Sequence, residues 1–208
     1  MAAVDTRERL LDAAERLFAE QGFAATSLRE ITREADANLA AVNYHFGSKD
    51  GLLLASLHAT LDPINEERLT GLDAELAANG GAPVELETLL RIFLGPAVRH
   101  FAQAAAEGRP CLLGQLHREP HAGLIDALHE VLGPVLDRFI SEARRTLPHV
   151  SAQQLMLRGT FLMGAMLHVL GKGAELTMRV AAEGQDLRDP ETLLESLVAF
   201  GAAGMRHA

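Results

Sequence analysis

Residues 27 to 49 read SLREITREADANLAAVNYHFGSK, and this segment carries the clearest folding signals in the chain. Ser27 and Glu30 have the S-x-x-E spacing of a capping box, in which the hydroxyl and the carboxylate each accept an amide proton at a helix start. The polar stretch before Asn38 interrupts that helix, Asn38 is suited to cap a second one, and Gly47 is suited to end it. The segment therefore predicts two short helices joined by a tight turn.

Apolar residues recur at helical spacing on both sides of this segment. Few aromatic residues and many Leu, Ala, Glu and Arg residues also favour helices over strands. We expect the Gly-Pro pairs at 95–96 and 133–134 to kink helices. The prediction is an all-α fold of about nine helices, over Thr6–Glu20, Leu28–Ala35, Leu39–Phe46, Lys49 past Pro63, Pro83 through Leu94 and beyond, Cys111–Glu119, Ala122–Leu147, Ser151–Leu170 and Pro190–Met205.

The composition limits what kind of protein this is. A chain of 208 residues with 48% apolar and 23% charged residues can bury a sizeable core without disulfides, and it has one cysteine. The apolar run from Leu155 to Leu170 is too short for a membrane span, and we find no N-terminal targeting segment. These features predict a cytoplasmic protein with no membrane partner.

The charge balance argues against nonspecific coating of nucleic acid. The net charge is -9, and the first 58 residues hold six basic and nine acidic side chains. Any binding of DNA must therefore depend on a few well-placed donors, which is sufficient for a specific dimer.

A tight helix-turn-helix over residues 28 to 47 is typical of a DNA-binding domain. Its second helix enters the major groove while the first crosses the phosphate backbone. If Val42 and Phe46 face the core, apolar side chains and one amide face outward to read bases, and neighbouring hydroxyls and cations contact phosphates. The alternative is an ordinary packed pair of helices. The candidate DNA-binding residues are Thr26, Ser27, Arg29, Asn38, Leu39, Ala40, Ala41, Asn43, Tyr44, His45 and Lys49.

Residues 6 to 57 resemble the DNA-binding region of TetR-family transcriptional repressors. The similarity lies in Leu11 to Phe18, Gly22-Phe23, Thr26-Ser27-Leu28, Tyr44-His45-Phe46 and Ser48-Lys49. It implies a DNA-binding domain over residues 1–48 and an effector-binding and dimerisation domain over 49–208. It further implies a homodimeric repressor that binds a palindromic operator and is released by a small ligand.

Two positions depart from the usual pattern of that family. Asp36 stands in the turn where Gly is usual, and Asp tolerates a left-handed backbone better than most residues. Asn43 stands where a Tyr is usual. An Asn can pair with adenine, which would change the operator preference; the alternative is that Asn43 binds phosphate or water.

The second domain is rich in Phe and Met, which suits a cavity for a small apolar effector. The alternative is an ordinary core, in which His100, His117 and His168 are hydrogen-bonded and Cys111 is a small buried residue. Met156 and Phe161 are further candidates for the lining. The predicted pocket residues are Phe93, His100, Phe101, Cys111, His117, Phe139, Met163, Met166 and Leu167.

The last two helices are expected to pair with their symmetry mates in a four-helix bundle, where small residues allow close approach. The predicted interface residues are Gly159, Met163, Gly164, Leu193, Leu197, Val198 and Gly201.

An enzyme is the alternative of a different class. The sequence has no phosphate-binding Gly loop, nucleophile elbow or zinc spacing, and Pro120 separates His117 from His121, so we expect no catalysis, metal or cofactor. A third hypothesis is a DNA-binding dimer that is regulated by a protein partner or by no signal. The partners we predict are double-stranded operator DNA, a second copy of the chain and a small apolar effector.

Overall fold

A computed structural model describes residues 5–109, 111–118, 122–170 and 189–206. The described residues form helices, turns and loops with no strand, which confirms the all-α prediction. No helix in these ranges is both long and apolar enough to cross a membrane. The helices are α1 Thr6–Gln21, α2 Leu28–Glu34, α3 Leu39–Phe46, α4 Lys49–Ala78, α5 Leu86–Ala106, α6 Leu112–Arg118, α7 Ala122–Thr146, α8 Ala152–Leu170 and α9 Pro190–Arg206.

Local caps begin and end the short helices as the sequence predicts. The Ser27 hydroxyl accepts the Glu30 amide at 3.2 Å, and Glu30 Oε2 accepts the Ser27 amide at 2.8 Å, so both halves of the capping box form. Asn38 Oδ1 accepts the Ala41 amide at 2.9 Å at the start of α3. Gly47, with φ of 75°, ends α3 in a conformation that favours glycine.

Three prolines lie inside helices: Pro63 in α4, Pro96 in α5 and Pro134 in α7. Each removes one amide donor from the helix. The helices nevertheless continue past them, because a missing donor weakens one turn without removing the packing of its neighbours. In α9 the proline stands at the first position, where no donor is needed, and Asp189 Oδ2 accepts the Thr192 amide at 2.8 Å.

The described chain packs as two compact units. The first comprises the described residues of Met1–Asp62 and Gly108–Leu132, and the second those of Pro63–Glu107 and Gly133–Ala208. Both α4 and α7 contribute one part to each unit. The predicted boundary between a DNA-binding domain over residues 1–48 and an effector-binding domain over residues 49–208 divides the chain by function rather than by packing. It stays a prediction.

The first unit is built on the inner faces of α1 to α3, the first parts of α4 and α7, and α6. Side chains from these helices that are 0% to 2% exposed form its core: Leu10, Ala14, Phe18, Ile31, Val42, Leu52, Leu53, Leu57, Leu61, Leu112, Leu116 and Leu124, with Leu112 at the start of α6. The Phe18 and Phe23 rings are 5.4 Å apart at the α1 end. This core holds α3 by one side only.

The second unit packs α5 against α8 and α9 and against the second parts of α4 and α7. Gly201 of α9 lies so close to α8 and α5 that a Cβ there would come within 2.7 Å of Leu162 and 3.3 Å of Leu90. A buried carboxylate, Glu142 of α7, accepts the Val84 amide at 3.0 Å and fixes the loop before α5.

Candidate nucleic-acid interface

Helix α3 is anchored by one residue and open on its other face. Val42 is 0% exposed, whereas Leu39 is 46% and Tyr44 85% exposed. Ala40 and Asn43 are also exposed. Leu39 and Asn43 lie one turn apart, as do Ala40 and Tyr44, so the four form one exposed face of the helix. This places the predicted base-reading residues at the surface, with Ala41 partly covered at the edge.

The turn between α2 and α3 is held by an arginine of α1. Asp36 adopts a φ of 46°, so it takes the left-handed backbone expected for it. Arg9 Nε donates to the Ala35 carbonyl at 2.9 Å, and Arg9 Nη2 donates to the Asp36 carbonyl at 3.2 Å. Our sequence reasoning missed Arg9, since nothing local marks a contact that spans 26 residues.

Residues at the start of α2 divide into exposed and buried ones. Ser27 and Arg29 are exposed. Thr26 is 1% exposed, and its hydroxyl donates to the Gly22 carbonyl at 2.7 Å. The prediction that Thr26 contacts phosphate is therefore wrong, because its hydroxyl is enclosed in the α1 to α2 connection. Thr26 instead stabilises the approach to α2.

Lys49 at the start of α4 uses part of its hydrogen-bonding capacity within the chain. Its Nζ donates to the Phe23 carbonyl at 2.5 Å and lies 4.3 Å from the centre of the Phe23 ring. Burial lowers the pKa of the Lys49 ammonium. An ammonium has three donors, so Lys49 can tie α4 to the loop before α2 and still offer a proton to a phosphate.

Aromatic rings and an arginine lie at the end of α3. The Tyr44 and His45 rings meet edge to face with centres 4.9 Å apart, and His45 is partly buried. Exposed Arg7 places its guanidinium carbon 5.5 Å from the centre of the Phe46 ring. Arg7 is a second residue that our sequence reasoning missed. It adds a positive charge beside α3, where a phosphate would lie.

The predicted effector residues are divided between the two units. In the second unit Phe101, Phe139 and Met166 are buried, and the Phe93 and Phe139 ring centres are 4.9 Å apart. His100, Met163 and Leu167 of that unit are partly buried. Cys111 belongs to the first unit and is partly buried, and its Sγ accepts the Gly114 amide at 3.3 Å. The side chain of His117 lies outside the described residues.

Three further candidates for the cavity lie at the surface instead. Met156 is 46% and Phe161 62% exposed, and His168 is also exposed. They cannot line a closed cavity of this chain, so that interpretation of them is wrong. They lie on the outer face of α8. Because α8 is apolar along most of its length, its sequence does not indicate which face is exposed.

Part of the predicted dimer interface is used inside the chain. Leu193, Leu197, Val198 and Gly201 are buried by the chain's own packing, so they are not available to a second copy and those assignments are wrong. Gly159, Met163 and Gly164 of α8 are partly exposed. The outer face of α9 carries Ala199, Phe200, Ala203 and Gly204.

Comparison with known proteins agrees with this architecture. Residues 10–56 match the family model for bacterial regulatory proteins of the tetR family, and residues 91–204 match that for the tetracyclin repressor-like C-terminal domain. The chain is 33% identical over 148 residues to the HTH-type transcriptional regulator Mb3439c of Mycobacterium bovis, covering 70% of this chain and 68% of that protein.

Other similarities are shorter or concern the fold alone. Over 50 residues the chain is 42% identical to the probable HTH-type transcriptional regulator YttP of Bacillus subtilis, covering 24% of each. The first curated relatives are matched over about a quarter to a third of their length. A putative tetR family transcription regulator from Shewanella sp. PV-4 has the same fold, with a TM-score of 0.66, 17% identity and coverage of 96% and 97%.

The second family model covers more than half of the chain, and Mb3439c is matched over more than two thirds of its length. The exposed α3 face, supported by a buried Val42 and a fixed turn, is the arrangement through which helix-turn-helix proteins contact DNA. The chain therefore belongs to the TetR family of DNA-binding transcriptional regulators.

Proposed function

We propose that the protein is a repressor that binds a palindromic operator as a homodimer and is released by a small lipophilic effector. In this proposal residues 1–48 form the DNA-binding domain and residues 49–208 the effector-binding and dimerisation domain. The observation that carries it is the open face of α3, where Leu39, Ala40, Asn43 and Tyr44 are exposed around a buried Val42.

Two groups of residues divide the work of DNA binding. Leu39, Ala40, Ala41 and Asn43 read bases, the first three through thymine methyl groups and Asn43 through the adenine edge. A second group positions the protein on phosphates through hydroxyl, amide, ring and cationic donors. That group comprises Ser27, Arg29, Asn38, Tyr44, His45 and Lys49, with Arg7 added from the structure.

The homodimer forms through the outer faces of α8 and α9. These helices contact each other through Leu162 and Gly201, and the residue before each, Phe161 and Phe200, is 62% exposed. Two exposed aromatic side chains on helices that contact each other offer more apolar surface than a single one, and such surfaces mark sites of interaction. Gly164 and Gly204 have open space where a Cβ would lie, which lets a second helix approach closely.

The effector binds in the second unit, where Phe and Met side chains are concentrated, and acts through α4. This helix is continuous from Lys49 to Ala78, with its first part in the first unit and its second part in the second. A ligand that displaces the second part shifts the recognition helices. The ligand releases DNA only to the extent that it binds the shifted state more tightly than the DNA-binding state. To lower the fraction of protein that can bind DNA from 99% to 1%, the two affinities must differ by about 5.5 kcal/mol.

The experiment measures stability and operator affinity on the same protein. A long-chain acyl compound is added at concentrations that raise the melting temperature, and binding to labelled DNA from upstream of the gene is followed by fluorescence anisotropy. We expect the operator affinity to fall as the melting temperature rises. Stabilisation without any change in operator affinity would instead favour a DNA-binding dimer that is not controlled by a small molecule.

A further inference from the structure

A positive charge is buried in the second unit among neutral partners. Arg68, on the second part of α4, is 1% exposed. Its Nε donates to the Phe93 carbonyl at 2.7 Å, and its Nη1 donates to Asn65 Oδ1 at 3.0 Å. The guanidinium carbon lies 4.3 Å from the centre of the Phe93 ring. Every one of these contacts is with a group that carries no charge.

Arg68 differs from other arginines of this unit in having no carboxylate partner among the described residues. Within the described ranges no Asp or Glu pairs with Arg68, and burial alone lowers its pKa to about 10. A buried ion that lacks a counter-ion is costly, because water no longer solvates it. Four exposed arginines of the same unit each pair with a carboxylate: Arg91 with Glu195 at 2.7 Å, Arg99 with Glu67 at 2.5 Å, Arg138 with Asp73 at 2.5 Å and Arg145 with Glu142 at 2.7 Å.

Support of helix α5 explains only part of the arrangement. Pro96 interrupts the hydrogen bonding of α5 close to Phe93, so a donor to the Phe93 carbonyl stabilises that turn. A neutral donor would serve this purpose at a lower desolvation cost. A guanidinium has five N–H donors in a planar fork, and the two bonds described use only two of them. The charge and the rest of the fork need another explanation.

We propose that Arg68 is the counter-ion for the carboxylate of an amphipathic ligand that binds in the second unit. The guanidinium fork matches a carboxylate through two parallel N–H bonds. Beside it, the partly buried Phe93 ring and the buried Phe139 ring, with centres 4.9 Å apart, are the apolar groups that the hydrocarbon part would contact. The inference rests on the proposed effector function and narrows it from a lipophilic compound to a lipophilic carboxylate.

The test compares two ligands of equal chain length on the full-length protein. Decanoate and decan-1-ol differ in the head group, and their affinities are measured by titration calorimetry. We expect the wild type to bind decanoate on the order of 10-fold more tightly than decan-1-ol, and Arg68→Met to lose this preference. Arg138→Met, which removes an exposed ion pair, is the matched control and should keep it.

A second variant protects the test against misfolding. Arg68→Met should keep its helical circular dichroism, because no counter-charge is stranded. Its melting temperature without ligand should fall, because the Phe93 carbonyl and Asn65 lose a donor. If it does not fold, Arg68→Lys retains the charge without the fork and should keep a smaller, several-fold preference for decanoate. The proposal is overturned if the wild type shows no preference for decanoate, if decanoate does not bind, or if Arg68→Met keeps the wild-type preference.

Operator binding separates this proposal from the broader one. If the ligand-free protein binds its operator but decanoate does not bind to the protein, only the role of Arg68 is overturned. If decanoate binds through Arg68 without changing operator affinity, the anion site is supported and release by an effector fails.

Discussion

At the scale of single residues, the proposed function assigns the choice of DNA sequence to the exposed side chains of α3. Asn43 is exposed one turn after Leu39, and it is the only amide on the base-reading face proposed here. An amide can give two hydrogen bonds to adenine, whereas the neighbouring alanines offer only apolar contact. Specificity should therefore depend strongly on this one position.

We expect Asn43→Ala to change the preference at one base position by about 1 to 3 kcal/mol, because it removes the paired hydrogen bonds to adenine. The measurement is a competition assay with operators that vary at each position. Lys49→Ala is the comparison, since loss of a phosphate contact should weaken all sequences alike and reduce the salt dependence. An unchanged profile in Asn43→Ala would assign Asn43 to the backbone contacts.

Asp36 tests the turn itself. Its φ of 46° is one that glycine adopts without cost and alanine does not. We expect Asp36→Gly to keep or slightly raise the free energy of unfolding and Asp36→Ala to lower it by about 1 kcal/mol. Urea denaturation of both variants measures this. Equal stability of the two would show that the turn does not impose this backbone conformation.

At the scale of elements, the short helices depend on their caps. Glu30 is partly exposed, and the Ser27 hydroxyl and amide lower the pKa of its carboxyl below the ordinary value of 4.5. A lowered pKa in the folded state means that the carboxylate stabilises the protein above about pH 4.5 and that this contribution is lost as the pH falls further. The capping box thus links the stability of α2 to pH.

We expect Ser27→Ala to lower the free energy of unfolding by about 1 kcal/mol at neutral pH. Glu30→Gln should be less stable than the wild type at pH 7, and the difference should shrink towards pH 3. Chemical denaturation across this pH range measures both. Glu66→Gln, which also removes an exposed carboxylate but lies in the middle of α4, is the control. A difference for Glu30→Gln that persists at low pH would contradict the account.

Such caps are what the sequence could predict. Ser27, Glu30, Asn38 and Gly47 act within three or four residues, so their spacing contains the whole signal. Leu193 and Arg68 were misjudged or overlooked because their burial depends on contacts far along the chain, 25 residues away for Arg68 and Phe93. An apolar helix such as α9 does not reveal in its sequence which face a second helix already covers.

At the scale of the whole molecule, the proposed dimer would set the spacing of two α3 helices. The exposed apolar residues of α8 and α9 are expected to be covered by a second copy. A two-fold dimer would then place its recognition helices on half-sites about one helical turn apart. The oligomeric state is thus a condition for reading a palindrome.

We expect Phe161→Glu and Phe200→Glu to convert the dimer to a monomer at micromolar concentration, because each buries a charge without a partner in the interface. Ile125→Glu is the matched control: Ile125 is 61% exposed and lies in the first unit. Light scattering coupled to size exclusion gives the mass of each. A wild-type monomer, or dimers that survive both changes, would reject this interface.

The central claim is that the full-length protein recognises a specific DNA sequence through α3. Its most direct test is selection of bound duplexes from a randomised library, followed by sequencing. The account predicts enrichment of a palindrome whose half-sites are centred about 10 base pairs or a multiple of that apart. Recovery of bound DNA with no enriched sequence, or of no bound DNA at all, would contradict it.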